Sequence, residues 1–160
     1  MSSLRGSATG SLKIDAPPSR VYSIVADYHQ HHPRILPPEY FKAIRVDEGG
    51  IGAGTRLTVT MRVLGTTQTF QHNVSEPEPG RVLVESDAEG YSVTTFVVDA
   101  ADSGRASVLS ITTEFTARKS GFPGRIDRYL TRRILNRIYE KELALISAYA
   151  KEIGVAGRPA

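Results

Sequence analysis

The sequence of 160 residues contains no cysteine and no tryptophan. The missing cysteine excludes disulfide bonds, thiolate nucleophiles, and the zinc or iron–sulfur sites that cysteine ligands build. No apolar run approaches the roughly 20 residues that a membrane-spanning helix needs, and the first residues lack the apolar segment of a secretory signal. These absences predict a cytoplasmic protein that does not insert into a membrane.

Hydrophobic residues make up 40% of the chain and charged residues 23%. These values lie close to the average of globular proteins, which excludes a wholly disordered, collagen-like or coiled-coil chain. A chain of this length forms one domain around a single core. We expect a flexible arm over residues 1–9, one domain over 10–154 and a flexible tail over 155–160.

The formal net charge of +3 is distributed unevenly. Basic side chains outnumber acidic ones between Arg118 and Lys141. Such a segment is typical either of a solvated helix face or of a surface that transiently contacts anionic lipids. Nucleic acid is excluded as a partner, because the bases spread around the predicted helix and the aromatic platform of single-strand binders is missing.

Alternating apolar and polar residues predict a sheet in the middle of the chain. A short strand over 12–15 precedes a helix over 16–28, and the proline-rich connection 29–40 is too broken for a long helix. Short turns separate the six strands that follow, which predicts an antiparallel meander. These strands are 41–47, 55–64, 67–74, 82–86, 91–98 and 107–116.

The strand over 91–98 is about equally apolar on both of its faces. Either Tyr91, Val93, Thr95 and Val97 or Ser92, Thr94, Phe96 and Val98 face the core. The sequence leaves both alternatives open.

A long helix is predicted from the glycine-rich turn near residue 121 to about Ile153, with Gly154 as its terminator. It is far longer than the average helix of 11–12 residues. Its apolar stripe consists of Ile126, Leu130, Ile134, Ile138 and Leu145. A sheet that wraps around the helix would bury this stripe.

Three segments carry a resemblance to a known family. They are Ile14-Asp-Ala-Pro-Pro-Ser-Arg-Val-Tyr, Gly52-Ala-Gly-Thr-Arg and Ser75-Glu-Pro-Glu-Pro-Gly-Arg. With the order of elements over residues 10–153, they resemble the START-like (SRPBCC) superfamily of polyketide cyclases, dehydrases and lipid-transfer proteins. The resemblance implies an α+β helix-grip fold. In that fold a curved antiparallel seven-stranded sheet wraps around a long C-terminal helix, and a helical insertion separates strands 1 and 2.

The resemblance also implies a cavity between the sheet and the long helix. We therefore expect the protein to bind or transport a small hydrophobic ligand, such as a lipid, an isoprenoid or a polyketide-like molecule. A polyketide cyclase or dehydrase is the first alternative, and a non-catalytic regulatory or stress-related interaction protein is the second. No cofactor is expected, and the protein is predicted to be a monomer or a weak homodimer.

His72 is the candidate catalytic residue. It shares strand parity with Phe70 and Val74, and a neutral imidazole on the cavity side can act as a base, an acid or a hydrogen-bond donor. The alternative is a histidine that is exposed or paired across strands. Arg137 follows Leu130 by seven residues, so it lies beside the apolar stripe and is the candidate to hold a carboxylate or carbonyl of the ligand. An ion pair or a solvated side chain is the alternative for Arg137.

The remaining candidates come from the predicted cavity and its mouth. Tyr28, His32 and Tyr40 are expected to gate the cavity, because the resemblance places their segment near its opening. The predicted ligand-binding residues are Tyr28, His32, Tyr40, Met61, Phe70, His72, Tyr91 and Arg137.

Two further patterns in the sequence do not predict functional sites. His29, His31 and His32 match no specific metal-site spacing, so no metal is predicted. The glycines over 50–54 have the wrong spacing for a dinucleotide loop, and a strand rather than a helix follows them.

Overall fold

The computed structural model describes residues 4–119 and 121–156. Within them, the helices are α1 (Pro18–Ala26) and α2 (Gly121–Ala156). The strands are β1 (Arg5–Ile14), β2 (Phe41–Glu48), β3 (Arg56–Val63), β4 (Thr66–Glu78), β5 (Val82–Asp87), β6 (Ser92–Ala101) and β7 (Ala106–Thr116). Single 3-10 turns lie at His32–Arg34 and Asp102–Gly104. Neither helix combines the length and the apolar character that crossing a bilayer requires.

The seven strands form one antiparallel sheet in the order β1-β7-β6-β5-β4-β3-β2. Strands β2 to β7 follow one another as a meander, and β1 completes the sheet beside β7. A helical segment lies between β1 and β2, and the long α2 follows β7. This arrangement confirms the helix-grip fold that the sequence predicted.

One face of the sheet carries the core. Phe96 and Val98 of β6 lie opposite Ile111 and Leu109 of β7, and all four side chains are at most 2% exposed. The inward set of β6 is therefore Ser92, Thr94, Phe96 and Val98. The alternative set, which begins with Tyr91 and Val93, faces outward.

The first strand is longer than predicted. β1 pairs with β7 from Arg5 onward, so residues 5–9 belong to the sheet and are not a loose arm. Gly6, Ala8 and Gly10 face inward in β1, and their small size lets α2 lie directly on the strand. A Cβ atom at Gly10 would approach the Cβ of Tyr139 to 2.9 Å. Residues 1–3 lie outside the described residues.

The ends of both helices also differ from the prediction. α1 ends at Ala26, two residues before Tyr28, because Asp27 leaves the helical conformation. α2 passes through Gly154 and ends at Ala156, so Gly154 is not its terminator and residues 155 and 156 are helical. Residues 157–160 of the predicted tail lie outside the described residues.

The buried face of α2 differs from the predicted stripe in its first half. Ile126 and Leu130 are exposed, whereas Ile138 is buried. Residues four positions apart in a helix are displaced by about 40° around its axis. A series of such residues therefore drifts from one face of the helix to the next. Tyr139 lies outside the predicted stripe and is buried against β1.

Candidate functional site

The inner face of β5 brings acidic side chains into the space between the sheet and α2. Leu83, Glu85 and Asp87 alternate with outward residues, and Leu83 is fully buried. The side chain of Glu85 is only 12% exposed. A carboxyl group at this depth requires polar partners, since burial of an unpaired charge is costly.

The turn after α1 supplies two of these partners. The carboxylate of Asp27 accepts hydrogen bonds from the backbone amides of His29 and Gln30, which closes the turn. The amide of Tyr28 donates to the carbonyl of Gly50 at 2.8 Å. These bonds turn the side chains of Tyr28 and His32 inward, so that their rings stack with centroids 4.5 Å apart.

Tyr28 and His32 both approach Glu85. The hydroxyl of Tyr28 donates to Oε1 of Glu85 at 2.6 Å. Nδ1 of His32 donates to the carbonyl of Val25 at 2.7 Å, which leaves Nε2 at 3.7 Å from the same oxygen of Glu85. Burial, followed by the charge of Glu85, raises the pKa of Tyr28 well above its usual value. Tyr28 is therefore a hydrogen-bond donor throughout the neutral range.

Helix α2 adds a second carboxyl group to this region. Glu142 is 4% exposed, and its carboxyl group takes part in no side-chain hydrogen bond or ion pair among the described residues. No described side-chain nitrogen or oxygen is both fully buried and without a partner, so the carboxyl oxygens of Glu142 keep contact with a water-sized space. Burial, followed by the negative charge of Glu85, raises the pKa of Glu142 to about 8. We call Tyr28, His32, Glu85 and Glu142 the buried polar cluster.

A chain of hydroxyl groups lies beside this cluster. The hydroxyls of Thr94 and Thr113 are 2.7 Å apart, and Thr113 is also hydrogen-bonded to the hydroxyl of Tyr139. Desolvation raises the pKa of Tyr139, and the charges of Glu142 and Glu85 add to this shift. Because these groups satisfy one another, they support the cluster without using its carboxyl groups.

The sheet beyond the cluster presents an apolar wall. Met61 of β3 shares the inward face with Leu57 and Val59, and Phe70 and His72 of β4 share the face of Val74. The rings of Phe70 and His72 lie 6.4 Å apart, and both are half-buried. His72 stands opposite Asp87 in the register of β4 and β5. The expected inward direction of His72 therefore agrees with the structure.

The far end of this wall is capped by a stacked arginine. The guanidinium carbon of Arg118 lies 4.9 Å from the ring centroid of Tyr91 and 5.8 Å from that of Phe70. Tyr91 is 40% exposed and precedes β6. It belongs to the rim of the inner face rather than to its interior.

Two predicted positions differ from the expected arrangement, and two others lie near the surface. Tyr28 and His32 are buried inside the fold and do not stand at a mouth, because the turn after α1 directs them inward. Tyr40 is half-buried under Lys141, whose ammonium group also pairs with Glu39. Arg137 lies one turn before Lys141 on the same side of α2 and is exposed, without a hydrogen bond or ion pair to any described residue. Its role in ligand binding stays a prediction.

The other histidines of the predicted cluster diverge from His32. Nε2 of His29 contacts the carbonyl of Gly49 at 3.1 Å. Nδ1 of His31 contacts the hydroxyl of Tyr149 at 2.8 Å. Among the described residues, no three potential ligands of this kind converge on one point.

A groove of about 710 Å³ lies where the first half of α2 crosses the ends of β1, β6 and β7. Its wall includes Ser92 and Phe115, which face inward, and the basic residues Arg5, Arg128 and Arg132. Thr94 follows Ser92 on the inner face of β6. The four residues of the buried polar cluster do not line this groove. A second hollow, of about 240 Å³, lies among side chains of β2, β3 and β4.

The sequence interpretation missed the two carboxyl groups of the cluster. Glu142 continues the spacing of four that joins Ile134 and Ile138. An acidic residue at that position in an apolar stripe could have indicated a buried carboxyl group. Glu85 gives no comparable indication, because polar residues follow it on both faces of a short strand. Tyr139 was missed because it lies outside the predicted apolar stripe of α2.

Comparison with known proteins gives a consistent result. A family model described as polyketide cyclase / dehydrase and lipid transport matches residues 5–151. The solution structure of the KanY protein has a TM-score of 0.78 at 25% identity, and the match covers 94% of this chain and 99% of that chain. No curated protein sequence matches the chain.

Two further structures are less similar in sequence. The Zhui aromatase/cyclase from Streptomyces sp. R1128 has a TM-score of 0.80 at 19% identity, with 98% of this chain and 100% of that chain covered. A START superfamily protein from Mycobacterium smegmatis has a TM-score of 0.70 at 14% identity, with 92% and 98% covered. At these identities the two structures show that the fold is shared.

Proposed function

This chain belongs to the polyketide cyclase / dehydrase and lipid transport family, and we propose that it binds a small, largely hydrophobic ligand between the inner face of the sheet and α2. The family and fold support a hydrophobic ligand-binding or a cyclase/dehydrase-type function. Of these, ligand binding requires the fewest additional assumptions about the residues present.

The buried polar cluster is the observation that supports this proposal most. Tyr28, His32, Glu85 and Glu142 are gathered inside an apolar core, where polar groups cost free energy unless they are paired. The carboxyl group of Glu142 takes part in no side-chain hydrogen bond or ion pair among the described residues. A ligand with a polar end would give this group a partner.

The apolar part of the ligand would lie on the inner wall of the sheet. Met61, Phe70 and His72 face inward yet are only half-buried, so a ligand can remove more of their surface from water. Each Å² of apolar surface buried in this way contributes about 25 cal/mol before the costs of association. Tyr40, Tyr91 and Arg137 are more peripheral, and we propose them for the rim.

The first prediction tests this wall with a neutral apolar fluorophore, N-phenyl-1-naphthylamine. We expect Phe70→Ala to weaken its binding about tenfold, since truncation removes apolar contact area worth about 1–2 kcal/mol. Gln71→Ala is the matched control, because Gln71 is the next residue on β4 and is exposed on the opposite face. The measurement is a fluorescence titration. Equal affinities of the two variants would show that the inner wall does not contact the fluorophore.

A cyclase or dehydrase activity is the second candidate, and one observation favours it. The raised pKa of Glu142 leaves a protonated carboxyl group in the fold at neutral pH, in the same cluster as the hydroxyl of Tyr28. A protonated carboxyl group can stabilise an enolate oxygen by donating a hydrogen bond to it. His72 stays the candidate base for removing a proton beside a carbonyl group.

The second prediction concerns this activity. If a poly-β-keto thioester is converted by the protein, we expect His72→Ala to lower turnover at least about 100-fold, because a positioned base contributes about that much. The outward Asn73→Ala on the same strand serves as the control. Product formation is followed by mass spectrometry. Unchanged turnover in His72→Ala would remove His72 from the mechanism.

A further inference from the structure

The space between the sheet and α2 is acidic. Glu85 and Glu142 enter it from β5 and α2, and Asp87 follows Glu85 on the same face. Of the basic side chains in the described part of the chain, only that of His32 is buried. No lysine or arginine from these residues therefore neutralises the carboxyl groups from inside.

The hydroxyl donor of the cluster is already committed to Glu85, and Nδ1 of His32 is committed to the carbonyl of Val25. Oε1 of Glu85 receives the hydroxyl of Tyr28 at 2.6 Å and lies 3.7 Å from Nε2 of His32. Glu142 is more deeply buried, and its carboxyl group takes part in no side-chain hydrogen bond or ion pair among residues 4–119 and 121–154, although its oxygens keep contact with a water-sized space. The site thus has an acceptor that lacks a donor.

The neighbours of Glu142 explain its protonation. Glu85 faces it from β5, Tyr28 from the turn after α1, and Tyr139 from α2 itself, while His32 belongs to the same cluster. Burial and the charge of Glu85 favour the neutral acid. A positive charge beside both carboxyl groups would reverse this preference, because an opposite charge stabilises the ionised form.

We infer that the polar end of the ligand is a protonated amine, held by Glu142 with Glu85 as the second carboxylate. This inference rests on the proposed ligand-binding function and specifies its ligand class. An ammonium group offers three donors and a charge opposite to that of the site. An alcohol offers one donor and no charge, and a carboxylate is repelled by Glu85. The site selects the amine because it attracts the ammonium group and repels a carboxylate.

The test uses three naphthalene compounds of nearly equal size: 2-(2-naphthyl)ethylamine, 2-(2-naphthyl)ethanol and 2-naphthylacetate. Isothermal titration at neutral pH measures their affinities for the full chain. We expect the amine to bind at least about tenfold more tightly than the alcohol, and the acetate to bind most weakly, because a charge-assisted hydrogen bond is about twice as strong as a neutral one. An alcohol or acetate that binds as tightly as the amine would overturn the inference.

A matched pair of variants locates the effect. Glu142→Gln keeps the size of the side chain and removes its charge, so the preference for the amine should disappear while the affinity for the alcohol is kept. Glu140→Gln, an exposed position two residues earlier on α2, should retain the preference. An amine preference that survives in Glu142→Gln would contradict the assignment to this residue.

Proton release gives a readout that needs no variant. Below the pKa of Glu142, which is about 8, binding of an ammonium ion to Glu142 expels the carboxyl proton. Titrations at about pH 6.5 in buffers of different ionisation enthalpy should show release of about one proton with the amine and none with the alcohol. Amine binding without proton release would overturn the inference. If none of the three compounds binds, the proposed function fails for ligands of this class, and the inference fails with it.

Discussion

Glu142 is an acid on the buried side of a helix, and it couples the stability of the protein to pH. The folded state retains the proton up to about pH 8, whereas an unfolded chain releases it near the ordinary value of 4.5. The stabilisation from this proton is therefore complete below about pH 4.5 and is lost as the pH rises to about 8. Other groups contribute their own pH dependence, so a comparison with a variant isolates this one.

The third prediction follows from that window. Urea unfolding between pH 5 and 8 should show wild-type stability falling relative to Glu142→Gln, by at most about 1.4 kcal/mol for each pH unit. Glu140→Gln is exposed on the same helix and should run parallel to the wild type. A constant difference between wild type and Glu142→Gln would mean that Glu142 is ionised in the folded protein.

For single residues, the sequence predicts the face of the sheet on which a side chain lies better than it predicts the groups that surround that side chain. The parity of β4 correctly placed Phe70, His72 and Val74 on one face of the sheet, because strand residues alternate strictly. Burial of Tyr28 and His32 could not be predicted, since it depends on how the turn after α1 folds against β5. The pairing of Tyr28 with Glu85 joins residues 57 positions apart, and no local pattern records it.

The helix and the first strand are linked through glycine. Gly10 faces α2, and a Cβ atom there would lie 2.9 Å from the Cβ of Tyr139 and 3.2 Å from Cδ1 of Leu143. The Cβ of Tyr139 is fixed to the helix backbone, so the helix itself would have to move. Small residues in β1 are thus a condition for the close approach of α2.

The fourth prediction measures this contact. We expect Gly10→Ala to destabilise the fold by about 1–3 kcal/mol, the usual cost of overpacking. Alanine normally suits a strand better than glycine, so the steric effect opposes the intrinsic preference. Ser11→Ala, on the outward face of the same strand, should change stability by less than about 0.5 kcal/mol. Urea unfolding compares the two variants, and a stabilised Gly10→Ala would show that the helix contact is loose.

The same glycines explain why β1 was underestimated. The segment 5–10 is small and polar, a composition that predicts a loop when only the sequence is considered. Its partners, Thr112 to Thr116 of β7, follow more than 100 positions later. The turns of the meander, by contrast, are marked by local residues such as Gly65 and Gly80, which adopt positive φ angles. Their positions could therefore be predicted.

For the whole molecule, the fold could be predicted from the sequence, whereas the residues of the candidate site could be predicted only in part. The order of elements and the length of α2 predicted a sheet that wraps around one long helix, and the resemblance to the START-like superfamily implied the helix-grip fold. The site arises where β5, the turn after α1 and the middle of α2 meet. The burial of Glu85 and Glu142 results from the packing of these three segments and not from their neighbours in sequence.

The position of β1 has a consequence for how the protein is made. On the ribosome, the residues of β1 emerge first, yet the strand that pairs with them is the last of the sheet. The N-terminal segment therefore remains unpaired until β7 has been synthesised. Helix α2 can pack against β1 only after that. Such long-range closure is slow compared with hairpin formation. The acidic interior is thus completed only after α2 has been synthesised, and a chain truncated before α2 lacks the carboxyl group of Glu142.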